Sequence, residues 1–371
     1  MRLRSAFYAL LLGLGLSLSA CKPPPTVRPP DPAGLRPLDE LSEFGNTLIY
    51  SLFYRRAATI RSWMTPALRA QVTARGLLDA GSRIAKTHGL PQALVESKIH
   101  REGELVWYSE LVLHRLAIER ADGAPVRLML YQFAVDPKGR LVRLLVREHV
   151  RVSDIRHPAE HYLAINRFHF PSTGEWTIIH GGRRKSTNYH HNSRTQRYAY
   201  DIVVKKGGRA RSGKGKRKHW SYGSPLTAPT SGVVITAIND VPENRRGETG
   251  KGGGNGVVID HGFGEFTSLW HMIPGTVQVA VGDQVVVGQR LGNVGNSGHS
   301  SGPHIHFHAS TDPRDKSRAM GLPAPFVDVY IDGSWVEKAL PVRDQRIRRP
   351  ELKPERRAPK LSTAPVTYFD L

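Results

Sequence analysis

The chain has 371 residues, with 53 Lys and Arg against 32 Asp and Glu, a formal charge of +21. That length exceeds one ordinary core and argues for two domains, while the charge favours anionic partners. The single cysteine, Cys21, excludes an intrachain disulfide framework and a thiolate metal site, so any metal must be held by histidines and carboxylates.

Residues 1–21, MRLRSAFYALLLGLGLSLSAC, place Arg2 and Arg4 before an apolar run from Ala6 to Ala20. The run is shorter than the roughly 20 residues of a membrane-spanning helix and ends in small residues, the pattern of an export signal. Leu18-Ser19-Ala20-Cys21 resembles the bacterial lipobox, in which the cysteine is acylated and becomes the mature N-terminus. Acyl chains hold firmly, because each buried methylene contributes about 0.8 kcal/mol. Exported, lipid-anchored placement argues against nucleic acid as the anionic partner. Lys22, where some inner-membrane lipoproteins carry Asp, points to a periplasm-facing outer-membrane anchor if the cell has such a membrane. Residues 22–37 are Pro-rich and are expected to form an extended spacer.

Residues 38–152 change pattern once. Up to Gly89, apolar residues recur at three- and four-residue spacing and predict amphipathic helices. From Glu104 the sequence alternates and is interrupted at Asp122-Gly123 and at Asp136-Pro137-Lys138-Gly139, which predicts antiparallel strands joined by hairpins. Helices followed by a curved sheet resemble the nuclear-transport-factor-like α+β cone. His88, His100, His114 and His149 are scattered through this stretch and suggest no site.

Residues 166–344 consist of short alternating runs punctuated by Gly, Pro and Asn, and predict an all-β, mainly antiparallel domain. GKGGGNG at 250–256 is no phosphate loop, because Lys251 precedes Gly252 and the glycines lead into a strand; a hairpin or rim loop is left. Residues 205–219, KKGGRARSGKGKRKH, set eight Lys and Arg among glycines and are expected to be a mobile cationic loop, open to anionic polymers bearing carboxylates or phosphates. Trp176, Trp220 and Trp270 read as core, and the basic tail 345–371 reads as disordered.

SSGPHIHFHA, residues 300–309, carries the chemistry. Alternate residues of a strand share a face, so His304, His306 and His308 line one side while Ile305 and Phe307 face a core. Two or three imidazoles on one face point to a metal or catalytic site. In RYAYDIVV, Asp201 stands inside a strand, where a carboxylate is disfavoured and needs a partner. His271 falls at a strand end in EFTSLWHMIPG.

Together with GSPLTAPTSGVVITAIND and GNGVVIDHGFGEF, these segments resemble the lysostaphin/LytM-type zinc metallopeptidases over about residues 170–340. The resemblance implies an open groove over the sheet and hydrolysis of peptidoglycan peptide crosslinks. It also implies one Zn2+ held by His190, Asp201 and His306, which leaves a position for water. His304 is then the general base, and His271 orients that water or hydrogen-bonds the developing oxyanion. Most members place the first histidine three or four residues before the aspartate. Here NYHHNSRTQRYAYD resembles a subgroup with a longer loop, which favours His190 but leaves His191, and more remotely His180, open as the ligand. His261 is expected to be structural, His299 to line the groove, and His308 to support the pair or be solvated. The rival function is a non-catalytic relative that binds the wall or activates an amidase; such relatives lose site residues, and none is missing here.

Overall fold

A computed structural model of the chain describes residues 38–114, 127–150, 159, 162–245, 247–314 and 319–351. The leader with Cys21, the Pro-rich segment, the Asp122-Gly123 turn and the tail beyond residue 351 lie outside the described residues. Among the described residues no helix is long and apolar enough to cross a membrane.

Four helices come first: α1 (Leu38–Phe53), α2 (Ala57–Ser62), α3 (Pro66–Gln71) and α4 (Ala74–His88). The Thr73 hydroxyl caps α4 by accepting from Gly76 N, and Gly89 ends it at positive φ. A four-stranded antiparallel sheet follows in the order β1 (Pro91–Glu102), β2 (Leu105–His114), β3 (Arg127–Val135) and β4 (Leu141–Val150). Phe44, Leu48 and Leu52 of α1 pack with Tyr108, Val112, Met129 and Phe133 on one face. The β3–β4 hairpin turns where expected, with Asp136 Oδ1 accepting from Lys138 N and Arg140 N. Strand β1 was not foreseen. Its register slips between Pro91 and Ala93 and between Leu94 and Glu96, and these irregularities break the alternation that marks a strand.

The other face of this sheet docks on the second unit, where Leu111, Leu128 and Leu130 meet Ile165 and Phe263. Polar groups finish the junction. Buried Lys98 donates to Asn166 Oδ1 (2.6 Å), Ser231 O (2.9 Å) and His261 O (2.8 Å). Glu265 accepts from Tyr162 OH and from the backbone N–H groups of Ile165 and Asn166.

The second unit is a large sheet in which every strand pairing is antiparallel, as expected. Its strands are β5 (Trp176–His180), β6 (Tyr200–Val203), β8 (Gly232–Ile238), β9 (Asn255–Asp260), β10 (Phe266–Met272), β11 (Gln284–Val285), β13 (Ile305–Ser310), β14 (Gly321–Leu322), β15 (Phe326–Ile331), β16 (Ser334–Ala339) and β17 (Arg346–Arg348). β7 (Pro225–Thr227) pairs separately with β12 (Arg290–Asn293). The central order is β9-β10-β13-β6-β5. Ile178, Tyr200, Ile202, Ile305 and Phe307 pack together beneath it.

Two expectations need correction. The tail does not begin at residue 345, because β17 pairs with β5 and β15, and buried Arg349 donates to Ser172 O at 2.7 Å. Segment 205–219 is folded rather than loose: Ser212 N bonds Lys218 O (2.9 Å) and Trp220 N bonds Ala210 O (3.1 Å). Basic, glycine-rich composition conceals such cross-loop backbone bonds.

The docking chemistry is testable. Lys98→Ala would strand three buried acceptors, so it should lower unfolding stability by about 3 kcal/mol in denaturant titration. A loss under 0.5 kcal/mol would show that water reaches this junction.

Candidate active site

The register of the central strands builds the site. His306 lies opposite Asp201 across β13–β6, and Ile305 and Phe307 pair with Ile202 and Tyr200 on the core side. His180 is aligned with Asp201 on the other flank, just past a bulge in β5. Asp201 is 7% exposed and His306 4%. The His306 Nδ1 to Asp201 Oδ1 distance is 2.9 Å.

The third member comes from outside the sheet. Between β5 and β6 the chain makes a short 3-10 turn at Tyr189–Asn192. Asn188 caps it: its Oδ1 accepts from His190 N (3.0 Å), and its Nδ2 donates to Gly182, Arg197 and Ala199 carbonyls. This turn brings His190 Nε2 to 2.9 Å from Asp201 Oδ2. The neighbouring His191 turns away and places Nδ1 2.9 Å from Arg183 O. His180 stands aside with Nδ1 3.1 Å from Arg343 Nη2. Of the three histidines left open for this position, the structure therefore brings His190 to the carboxylate.

His271 and His304 complete the group. Strand β10 has an irregularity between Leu269 and Met272 where it pairs with β9, and His271 sits there at φ +68°. A left-handed conformation at a non-glycine residue is a strained position of the kind that collects at functional sites. His271 Nδ1 is 2.8 Å from Ser297 O, and His304 Nδ1 is 2.8 Å from Gly302 O. With both Nδ1 protons committed to carbonyls, each neutral ring presents Nε2 as an acceptor. His304 Nε2 lies 3.4 Å from Asp201 Oδ1, and the His271 and His304 ring centroids are 4.9 Å apart. Two glycine loops hold the Ser297 carbonyl in place. Gly254 and Gly298 both have positive φ, and a Cβ on either would strike the other's backbone or its neighbour's.

His308 is neither solvated nor remote. It is buried, and its Nδ1 stands 3.1 Å from His306 Nε2. His261 is buried between Ser231 O and Thr267 Oγ1 in a structural role, and His299 is exposed. Among the tryptophans, Trp176 is fully buried, while Trp220 and Trp270 are half-buried under loops.

Electrostatics separate the histidines. Burial alone would raise Asp201, but the charge of His304 when protonated and hydrogen bonding with His190, His304 and His306 outweigh it and hold the carboxyl well below the ordinary carboxylate range. For His304, burial lowers the pKa, yet the Asp201 charge and hydrogen bonds prevail and raise it. His271 is pushed well below the usual imidazole value by burial, and next by the neighbouring His304 and His306. Burial also lowers His306 and His308.

Two imidazoles and a carboxylate fit a zinc ion. In His190, Asp201 and His306 the candidate donor atoms all lie within 4.8 Å of one another. His271, His304 and His306 form a second such group sharing His306. A third group, Glu102, His169 and Asp328 at the domain junction, already holds a cation. Arg167 places Nε 2.9 Å from Glu102 and Nη2 2.5 Å from Asp328 there.

Residues 211–317 match peptidase family M23, so the chain carries a domain of that family, homologous to lysostaphin/LytM-type glycyl-glycine endopeptidases. Glycyl-glycine endopeptidase ALE-1 of Staphylococcus capitis is 34% identical over 96 residues, 26% of this chain and 26% of that protein. Peptidoglycan DD-endopeptidase ShyA of Vibrio cholerae is 34% identical over 85 residues, 23% of this chain and 17% of the relative. The chain therefore spans about a quarter or less of the length of these curated relatives. The lysostaphin catalytic domain of Staphylococcus simulans aligns at 24% identity and a TM-score of 0.24, over 33% of this chain and 74% of that one. The family match begins after Asp201, so His190 and Asp201 join the site through strand register and the capped turn.

Asn188 is the supporting residue whose role sequence reasoning missed; the signal was an Asn two residues before the histidine. Asn188→Ala should remove three donations and one acceptance at a fully buried position, and lower stability by about 3 kcal/mol in thermal or denaturant unfolding. An unchanged midpoint would show that the turn does not depend on this cap.

Proposed function

We propose that the chain is a zinc-dependent endopeptidase that hydrolyses the peptide crosslinks of bacterial peptidoglycan. The observation that carries this reading is Asp201, with one oxygen 2.9 Å from His190 Nε2 and the other 2.9 Å from His306 Nδ1, beside two carbonyl-fixed histidines. His190, Asp201 and His306 would hold the metal. Zinc, when bound, supplies a Lewis acid that polarises a carbonyl and makes a water more acidic. His304 takes the proton of the attacking water on Nε2 and returns it to the leaving amine, and Asp201 stabilises the imidazolium formed in between. His271 stays neutral, so its Nε2 can accept a hydrogen bond from that water and orient it. Donation to the oxyanion would need an imidazolium, which burial opposes. His304, with Nε2 3.4 Å from Asp201, and His271, fixed by the Ser297 carbonyl, thus divide the work of base and orienter. With a metal on Nδ1, His306 would keep its proton on Nε2, where His308 Nδ1 at 3.1 Å would accept it and hold that tautomer.

The non-catalytic reading predicts lost site residues, and all five converge here. Export and lipid attachment at Cys21 are part of the same proposal, with the Pro-rich spacer and a nuclear-transport-factor-like cone over 38–152 holding the β unit away from the membrane. The four helices on one face of a four-stranded sheet support the cone.

Purified protein should bind about one zinc per chain and release peptidoglycan fragments, resolved by mass, that a chelator abolishes. His306→Ala should lose both zinc and cleavage, whereas His304→Ala should keep zinc and lose turnover by at least about a hundredfold. A His306→Ala protein that keeps both would end the assignment. Cys21→Ser should leave the membrane fraction or remain unprocessed; normal processing and retention would refute lipid attachment.

A further inference from the structure

The site is bordered by cationic loops that the hydrolytic chemistry does not use. Three basic segments reach it along separate paths, each tied to a site residue or its neighbour. Arg183 accepts from His191 through its backbone carbonyl, and Arg184 and Lys185 follow it exposed to solvent. On the same flank Arg343 contacts His180, whose ring centroid is 6.2 Å from that of His190. Segment 205–219 arrives at His219, whose ring lies 3.0 Å from the place a Cβ on Gly302 would occupy, and Gly302 is the residue that fixes His304. The third segment arrives at Gly253, whose carbonyl accepts from His271 N (3.1 Å), with Arg245 and Lys251 exposed beside it.

These charges are built into place. Lys216 Nζ lies 2.6 Å from Glu243, joining the second segment to the third, and Lys206 Nζ lies 4.4 Å over the Trp220 ring. Glu243 is further held by Tyr222 OH (2.9 Å) and Asn296 N (3.1 Å). Lys205 is paired with Asp344 at 3.7 Å. Arg211, Lys214 and Lys218 remain exposed on the folded loop. The nearby acids only partly balance them: Glu243 is engaged by Lys216, Asp344 by Lys205, Asp201 is enclosed by histidines, and Asp240 and Glu248 are exposed carboxylates. Like charges around a low-dielectric cleft raise the local concentration of an oppositely charged ligand by about ten- to a thousandfold, and salt removes the effect. The screening length falls from about 8 Å at physiological ionic strength to about 3 Å at 1 M.

We propose that this cationic rim sets the substrate class: wall peptides whose residues next to the scissile bond carry free carboxylates, in preference to uncharged bridges such as polyglycine. The inference rests on the hydrolytic reading above and adds recognition to it. Two of its loops meet the site where His219 packs against Gly302 and the Gly253 carbonyl accepts from His271 N, so their charges stand near the segment being cut rather than on distant polymer.

The test uses the full zinc-loaded protein on one peptidoglycan preparation, native or with its free carboxylates converted to amides by carbodiimide coupling. Amidation should raise KM about tenfold or more with kcat within about twofold, and high salt should raise KM for native wall in the same way. The triple variant Arg211→Ser, Lys214→Ser, Lys218→Ser should raise KM on native wall, keep its zinc, and respond much less to amidation. Equal KM on both materials, or a triple variant that loses kcat on both, would overturn the substrate assignment and leave the hydrolytic reading standing. Cleavage of neither material by zinc-loaded protein would overturn the hydrolytic reading itself, and the assignment with it.

Discussion

Asp201 places an ionised carboxylate in a central strand of an antiparallel sheet, almost out of reach of water. Such a charge is tolerated only when opposite charge and hydrogen bonds compensate it, because the unpaired group would be strongly destabilising. The rest of the site can be derived from that requirement. Strand register supplies His306 from one side, the capped turn supplies His190 from above, and His304 approaches from the strand entrance. The Asp201 oxygens collect three imidazoles, and on the proposed function that convergence would give a metal its donor set and a base its stabilising counter-charge.

The division between His304 and His271 follows from what lies behind each ring. Both give Nδ1–H to a backbone carbonyl, yet only His304 has a carboxylate oxygen 3.4 Å from Nε2. Proton uptake is therefore favoured on one ring and opposed on the other. The strained backbone at His271 and the glycine contact between residues 254 and 298 hold the second ring beside His304. Side chains larger than hydrogen at those glycines would separate the loops and move the Ser297 carbonyl.

Much of this was legible in the sequence, for identifiable reasons. The alternation of histidines from 304 to 308 has a fixed meaning in a strand, and an aspartate among Tyr, Ala and Ile in RYAYDIVV has few structural uses. The choice of His190 over His191 rested on resemblance alone, because it depends on a 3-10 turn set by the Asn188 cap and not on strand alternation. The contact of His308 with His306 was not legible, since sharing a face does not say which ring atoms meet. Strand β1 was hidden by two bulges. The folded state of 205–219 was hidden because glycine-rich basic sequence looks the same whether or not its backbone is bonded across the loop.

Anomalous scattering at the zinc edge from crystals grown with zinc tests the central claim most directly. The account predicts one strong peak bounded by His190 Nε2, Asp201 and His306 Nδ1, absent in the His306→Ala protein. No peak there at full zinc loading, or a dominant peak at Glu102, His169 and Asp328, would contradict it.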